Sequence, residues 1–269
     1  MNTINFDFLE FAIKLAKSTG KIQMSYFGNI SSIDNKSSKI DLLTEADKKS
    51  EDYIINEIKN KYPSHSILSE ECGLINKNSK YKWIIDPLDG TTNFVHNLPI
   101  FAVSIGLQKN DQTICAVVYN PAADKCFYAY DNQPAYLNNT IINVTNTKNI
   151  NNCLLATGFP YLHDNRYDLS FEIFKDFYDI TRGLRRLGAA ALDLCFVAMG
   201  RFDGYYEYGL EPWDISAGSL IATEAGANVT DWDNSELPYD GSRILASNGK
   251  IHSQMVDILM KEKYNIFFK

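Results

Sequence analysis

The sequence predicts a mixed α/β fold, α+β in its first half, and three observations carry that expectation. Two amphipathic helical segments come first, five short β-rich runs follow between Ser66 and Ala129, and from Cys153 onward strand-like and helical segments alternate.

Residues 6 to 27 set Phe8, Ala12, Leu15, Ala16, Ile22 and Met24 near helical spacing, and Gly28 closes the segment as a C-terminal cap would. Asp7, Glu10, Lys14 and Lys17 interrupt the apolar residues, which marks an amphipathic helix and not a signal peptide. A polar loop over 29–41 leads to "TEAD", where Thr44 stands three residues before Asp47 as in a capping box. Ile54, Ile55 and Ile58 then form a stripe that runs until Pro63, so a second helix starts near Thr44. The runs "SILSEE", "KWIID", "FAVSIGLQ", "TICAVVYN" and "KCFYAY" are separated by turn residues and predict a largely antiparallel sheet.

In the second half, "CLLAT", "DGYYEY" and "ILAS" read as strands. "YDLSFEIFKDFYDIT", "AAALDLCFVAMG", "WDISAGSLIATEAG" and a last segment near the C-terminus read as helices. The Asn-rich stretch 143–152 joins the halves but lacks the composition and length of a free linker. One compact domain over 1–269 is expected, with an α+β sub-layer over 1–142 and an α/β sub-layer over 153–269.

Hydrophobic residues make up 45% of the 269, ample for a substantial core, and the net charge of -7 argues against a general nucleic-acid surface. The compact basic cluster "RGLRR", Arg182 to Arg186, reads as a solvated surface or an anion-facing rim, with a macromolecular contact as the alternative. Five widely spaced cysteines without a C-x-x-C pair suggest neither a disulfide framework nor zinc, and fit a reducing cytoplasm. No window is apolar enough to span a bilayer, so no membrane association is expected.

The chemistry concentrates in "WIIDPLDGTTNF", Trp83 to Phe94, which carries two aspartates out of an apolar run. Asp-Gly is a turn signal, and Asp89 fits a helix cap at Gly90, but that leaves Asp86 unexplained. "ILSEE" ends a second apolar run in Glu70 and Glu71, and Asp214 stands beside a helix start marked by Pro212. Singly, Glu71 reads as solvated, Asp89 as a cap, and Asp214 as a partner of a helix dipole worth roughly 0.3 to 1 kcal/mol. Together, acids leaving several buried elements would repel one another unless a cation held them. Such oxygen ligands suit a hard divalent ion, and with no His or Cys at zinc-like spacing magnesium is favoured; His65 and His96 have no such partner, and His96 reads as a local hydrogen-bonder. After Asp89, Gly90 permits close backbone approach, and the amides of Gly90, Thr91 and Thr92 would open a helix N-terminus suited to phosphate. No G-x-S-x-G elbow or C-x5-R cradle offers a nucleophilic alternative.

"DPLDGTTNF", the "SEE" before it and "PWDISAGSLIATEAGA" after it resemble the signature segments of the inositol monophosphatase family. The resemblance runs from "KIDLLTEAD" near residue 39 through "GYYEYGLEPWD" to "ILASN" near 248. It implies a layered αβαβα sandwich of the sugar phosphatase type and a cytoplasmic homodimer. The implied activity is magnesium-dependent, lithium-sensitive hydrolysis of a small phosphate monoester, foremost myo-inositol 1-phosphate. Residue by residue, Glu70, Asp86 and the Leu88 carbonyl match ligands of a first Mg2+, and Asp86, Asp89 and Asp214 those of a second, with Glu70 helping to hold a weaker third. Asp47 and Thr91 match the pair that orients the attacking water and, with Glu70, form the implied catalytic set. Gly90, Thr91 and Thr92 match phosphate contacts, while Gly188, Ala190, Glu207 and Asp214 match the substrate pocket.

One departure is "GAAA", which puts Ala189 where inositol-specific members often carry Ser or Thr, so a hydroxyl contact is missing and inositol selectivity stays open. Tyr205, Tyr206 and Tyr208 either shape the pocket or pack. Relatives acting on 3'-phosphoadenosine 5'-phosphate, fructose 1,6-bisphosphate, histidinol phosphate or NADP are the enzymatic alternatives. A protein- or RNA-binding accessory with "RGLRR" as its contact is the alternative of another class.

Overall fold

The structure, a computed structural model, describes residues 7–29, 33–35, 42–160, 164–238 and 240–268. Most of the polar loop expected over 29–41 lies outside the described residues, as do Phe6 and the "KID" that opens the resemblance.

Helix α1 (Asp7–Tyr26) buries Phe8, Ala12, Leu15, Ala16, Thr19 and Gln23, one stripe at helical spacing. Helix α2 (Glu45–Lys61) opens on the expected capping box: Thr44 Oγ1 accepts from the amides of Ala46 and Asp47, and Asp47 Oδ2 accepts from the Thr44 amide at 2.8 Å. The two helices cover one face of an eight-stranded sheet. Its strands, in chain order, are β3 (Ser66–Ser69), β4 (Gly73–Ile75), β5 (Tyr81–Asp89), β6 (Ala102–Lys109), β7 (Gln112–Asn120), β8 (Lys125–Tyr130), β9 (Tyr136–Leu137) and β10 (Thr140–Ile141). A separate short pair, β1 (Ile33–Asn35) and β2 (Leu42–Thr44), precedes α2.

The sheet order is β10-β9-β8-β7-β6-β5-β3-β4. It is antiparallel throughout except where β3 runs parallel to β5, and it continues past the expected limit at Ala129 through two-residue strands too short to leave a periodic signal. A second sheet, ordered β12-β11-β13-β15-β14, comprises β11 (Leu154–Thr157), β12 (Gly183–Arg185), β13 (Gly204–Tyr208), β14 (Asn228–Thr230) and β15 (Arg243–Ser247). β12 and β14 were not anticipated from the sequence, and β12 lies inside the basic "RGLRR".

Helices α5 (Ala190–Ala198) and α6 (Pro212–Glu224) pack between the sheets, with α6 against β5 to β8 and α5 against β13 and β15. A single core rich in alanine and drawn from both halves, including Ala102, Ala116, Ala191, Leu194, Ala217 and Ala246, fills this middle layer. Helices α4 (Tyr167–Tyr178) and α7 (His252–Leu259) close the far face around Phe177, Tyr206, Tyr208, Trp232 and Met255. The result is the αβαβα layering that the resemblance implied. No helix of the described residues is long and apolar enough to cross a membrane.

His65 has a structural setting, and His96 does not have the one expected. His65 Nδ1 accepts a hydrogen bond from Trp83 Nε1 at 3.1 Å, and its ring stacks on Tyr62 with centroids 4.8 Å apart. The exposed His96 side chain makes no hydrogen bond among the described residues; only its backbone amide bonds, to Thr92 O, at the end of α3 (Thr91–Val95). This corrects the expected side-chain role.

Candidate active site

The geometry starts with a bulge in β5. Asp86 stands opposite Ser104 and Asp89 opposite Ala102, so three steps on β5 match two on β6. In a regular strand, residues an odd number apart point to opposite faces; the extra residue re-aims one of them, and both aspartates line the same cavity. Pro87, which has no amide to give the ladder, sits in the bulge, and its carbonyl accepts from Gln23 Nε2 of α1 at 2.7 Å. Asp86 Oδ1 accepts from the Leu88 amide at 2.8 Å.

Gly90 then turns the chain at φ 90°, a left-handed conformation that favours glycine, and a Cβ there would come within 2.9 Å of the Ile100 carbonyl. It leaves α3 without a side-chain cap, which corrects the reading of Asp89 as the cap of this helix. Asp89 caps a different one: its Oδ2 accepts from the Ala191 amide of α5 at 2.9 Å, across 102 positions of sequence. It serves there in place of the side chain that Ala189, the N-cap of α5, cannot offer.

Glu70 follows β3 and donates its backbone amide to Ile85 O of β5 at 3.2 Å. The next turn is tied down by Glu51 of α2, whose Oε1 accepts from the amides of Glu71 and Cys72 at 3.2 and 3.0 Å. Asp214 enters from the first turn of α6, where Pro212 fills the initial position and Asp214 Oδ2 accepts from the Glu211 amide at 2.8 Å. Asp47 is wholly buried; its Oδ2 completes the capping box and its Oδ1 accepts from the Thr91 hydroxyl at 3.1 Å.

These elements surround a cavity of about 720 Å³ lined by Glu70, Asp86, Leu88, Asp89, Gly90, Thr91, Gly188, Ala190, Glu207 and Asp214 among others. Of the sequence-derived set, Asp47 reaches the cavity only through Thr91, and Thr92 does not line it. Glu207, on β13, receives the Tyr205 hydroxyl at 2.6 Å, whereas Tyr206 and Tyr208 pack into the far core. Arg166 and Arg186 stand at the wall, so "RGLRR" contributes Arg186 to the rim while Arg182 and Arg185 are exposed.

The electrostatics are those of crowded and largely buried acids. Burial, then the charges of Glu70, Asp89 and Asp214, hold the Asp86 carboxyl well above its usual range. Burial pushes Asp89 up to about 7 against the opposing pull of the Ala191 amide. Asp214 is likewise raised well above its ordinary value by burial, with Glu70, Asp89 and Glu207 adding to it. Among the described residues, no three His, Cys, Asp or Glu side chains are gathered into an arrangement that already cages a metal ion. The chemistry of the donor set nevertheless fits a hard divalent ion: Glu70, Asp86, Asp89 and Asp214 line one cavity with Leu88, no thiol or imidazole joins them, and the mutual repulsion that raises Asp86 is what a cation there would relieve.

Three supporting residues escaped the sequence reading. Gln23 is a polar residue in the buried stripe of α1, Glu51 lies one helical turn beyond Asp47, and Asn93 sits inside the signature stretch itself. Asn93 Nδ2 donates to Ile100 O at 2.8 Å and Leu187 O at 2.7 Å, tying α3 to the loop before α5. Buried polar residues on otherwise apolar faces were the available signal.

The sequence profile of the inositol monophosphatase family matches residues 5–263. The chain belongs to the inositol monophosphatase family. A family member named inositol-1-monophosphatase, from Synechocystis, is 42% identical over 252 residues, covering 93% of this chain and 88% of that protein. A protein of Neisseria meningitidis serogroup B named putative Nus factor SuhB is 41% identical over 254 residues, covering 94% and 97%. The solved inositol monophosphatase of Anabaena (Nostoc) superposes with a TM-score of 0.85 at 40% identity, covering 96% of this chain and 97% of the other. The inositol monophosphatase fold and the bulged Asp86–Asp89 segment therefore occur together in one molecule.

Proposed function

We propose that this chain is a magnesium-dependent phosphatase for small phosphate monoesters, with myo-inositol 1-phosphate as the foremost substrate, working as a homodimer in a reducing cytoplasm. The observation that carries the reading is the meeting of Glu70, Asp86, Asp89 and Asp214 on one cavity beside the Asp47–Thr91 hydrogen bond.

Glu70, Asp86 and the Leu88 carbonyl would hold one divalent ion and Asp86, Asp89 and Asp214 a second. Bound there, the ions supply positive charge that polarises the phosphoryl group and acidifies water. The rest falls to the chain itself. The Thr91 hydroxyl has two acceptors at 3.1 Å, Asp47 Oδ1 and the Leu88 carbonyl; with that carbonyl committed to an ion, Thr91 would pass its proton to Asp47 Oδ1 as its oxygen takes one from the attacking water. Gly90 brings the first amides of α3, which have no partner within the helix, to the substrate phosphate. Gly188, Ala190 and Glu207 face the alcohol portion, and Glu207 accepts from its hydroxyls. Direct attack by water needs no phosphoenzyme.

The test is phosphate release from a panel of monoesters with added magnesium, after exhaustive chelation, and with lithium. Release of inositol from its phosphate that depends on magnesium and falls with lithium is expected; undiminished activity after chelation overturns the reading.

Arg166 and Arg186 in the cavity wall favour a second reading, a substrate with an additional anionic group such as a bisphosphate or nucleotide. The same panel separates the two. An accessory role in RNA or protein binding draws support from the relatives named Nus factor and from the exposed Arg182 and Arg185, and RNA titration at physiological salt tests it.

A further inference from the structure

Gly158 follows β11 directly, and β11 runs parallel to β13 with Thr157 opposite Tyr206. The next step along both strands brings Gly158 alongside Glu207. A Cβ built on Gly158 would lie 2.1 Å from both Glu207 carboxylate oxygens and 2.2 Å from its Cδ. No left-handed backbone conformation demands glycine there. The demand comes from the carboxylate, which lies flat across the space that a side chain would fill.

That carboxylate has few other places to go. Glu207 is 9% exposed, and its Oε2 takes the hydroxyl of Tyr205, which is itself wholly buried. Gly158 and Glu207 both line the cavity. We propose that Gly158 is a specificity-determining position: the side chain it lacks is what seats the Glu207 carboxylate, under the Tyr205 hydroxyl, at the part of the pocket that takes the substrate's alcohol groups. The inference rests on the phosphatase reading above. Gly158 is a positioning residue that touches substrate only through Glu207.

Alanine at 158 has to push the carboxylate off its seat and away from Tyr205. A misplaced hydrogen-bonding partner in a built pocket costs a substrate that uses it on the order of 10- to 100-fold, and a substrate that does not use it little. The wild type, Gly158→Ala, Glu207→Asp and the double variant should be compared on inositol 1-phosphate and 4-nitrophenyl phosphate at saturating magnesium, with melting temperatures recorded. Gly158→Ala should raise KM for the inositol ester by about 10-fold or more while kcat on the aryl ester stays within about 3-fold.

Glu207→Asp withdraws the carboxylate by one methylene and vacates the space above residue 158. In that background the same alanine should cost less than about 2-fold, a coupling that independent sites would not produce. If Gly158→Ala alone does not fold, this second comparison carries the test. An unchanged substrate ratio in Gly158→Ala, or losses that multiply in the double variant, overturns the role of Gly158. A wild type that hydrolyses neither ester overturns the phosphatase reading instead, and the inference falls with it.

Discussion

One carboxylate, that of Asp47, serves two residues at once: Thr91 donates its hydroxyl to Oδ1 at 3.1 Å while Thr44 donates both amide, at 2.8 Å, and hydroxyl, at 2.5 Å, to Oδ2. Capping a helix and orienting the Thr91 hydroxyl are therefore not competing explanations of this residue.

The division of labour makes the two partners separable by experiment. Asp47→Asn should weaken both tasks, lowering stability by about 1 kcal/mol through the cap. It should also lower turnover by about 10²- to 10⁴-fold. Thr91→Ala should lower turnover similarly at little cost in stability, and Thr91→Ser, which keeps the hydroxyl, should recover much of it. The double variant should be scarcely slower than either single one. Turnover and melting temperature measured on all four check this, and losses in turnover that multiply would break the proposed coupling.

Asp89→Asn keeps an oxygen for the Ala191 amide and removes the charge. Melting should shift by no more than about 2 °C, since Asn caps about as well as Asp, while turnover falls at least about 100-fold. Near wild-type turnover would confine Asp89 to its capping role.

Ala189→Ser places a hydroxyl at the N-cap position of α5, where the Leu192 amide is next in line after Ala191 goes to Asp89. A gain of about 0.5 to 1 kcal/mol in chemical unfolding is expected. A loss would mean that the tight packing of Ala189 near Gly90 leaves no room for one oxygen.

The pH dependence of stability has a marked contribution far from the cavity. Burial alone would raise Asp176 of α4, but hydrogen bonds from Lys261, Tyr264 and Lys263 bring it down from an ordinary 3.8 to about 2. A carboxyl lowered on folding stabilises the folded chain above its unfolded pKa and stops doing so as the pH falls through its folded value. Wild type should therefore exceed Asp176→Asn in stability at pH 5, and the gap should close between about pH 4 and pH 2. Urea unfolding of both proteins across that range measures it; a constant gap would remove the ionic contribution.

Much of this molecule was legible in its residues because the informative signals were local. The capping box of Thr44 and Asp47, the Pro212 start of α6 and the "DPLDGTTN" stretch each lie within a few positions and state their geometry directly. What stayed hidden depends on partners distant in sequence or on elements too short to repeat a pattern. Nothing around Asp89 announces that the helix it caps begins at Ala190, nothing beside Gly158 names Glu207, and three residues of β12 cannot show a period. Gln23 and Glu51 announced themselves only as polar side chains on apolar faces, which by itself says that a partner exists and not which one.

The bond from Asp89 to the Ala191 amide also bears on how the protein comes into being. At roughly 5 to 20 residues per second on the ribosome, Asp214 follows Thr91 by about 6 to 25 seconds. A nascent chain ending before residue 191 carries Glu70, Asp86 and Asp89 without the amide that steadies Asp89 and without the last acid. It is a half-written site with no chemistry to perform. On the phosphatase reading, the order of synthesis would itself hold the site back until the C-terminal half has folded onto the N-terminal sheet.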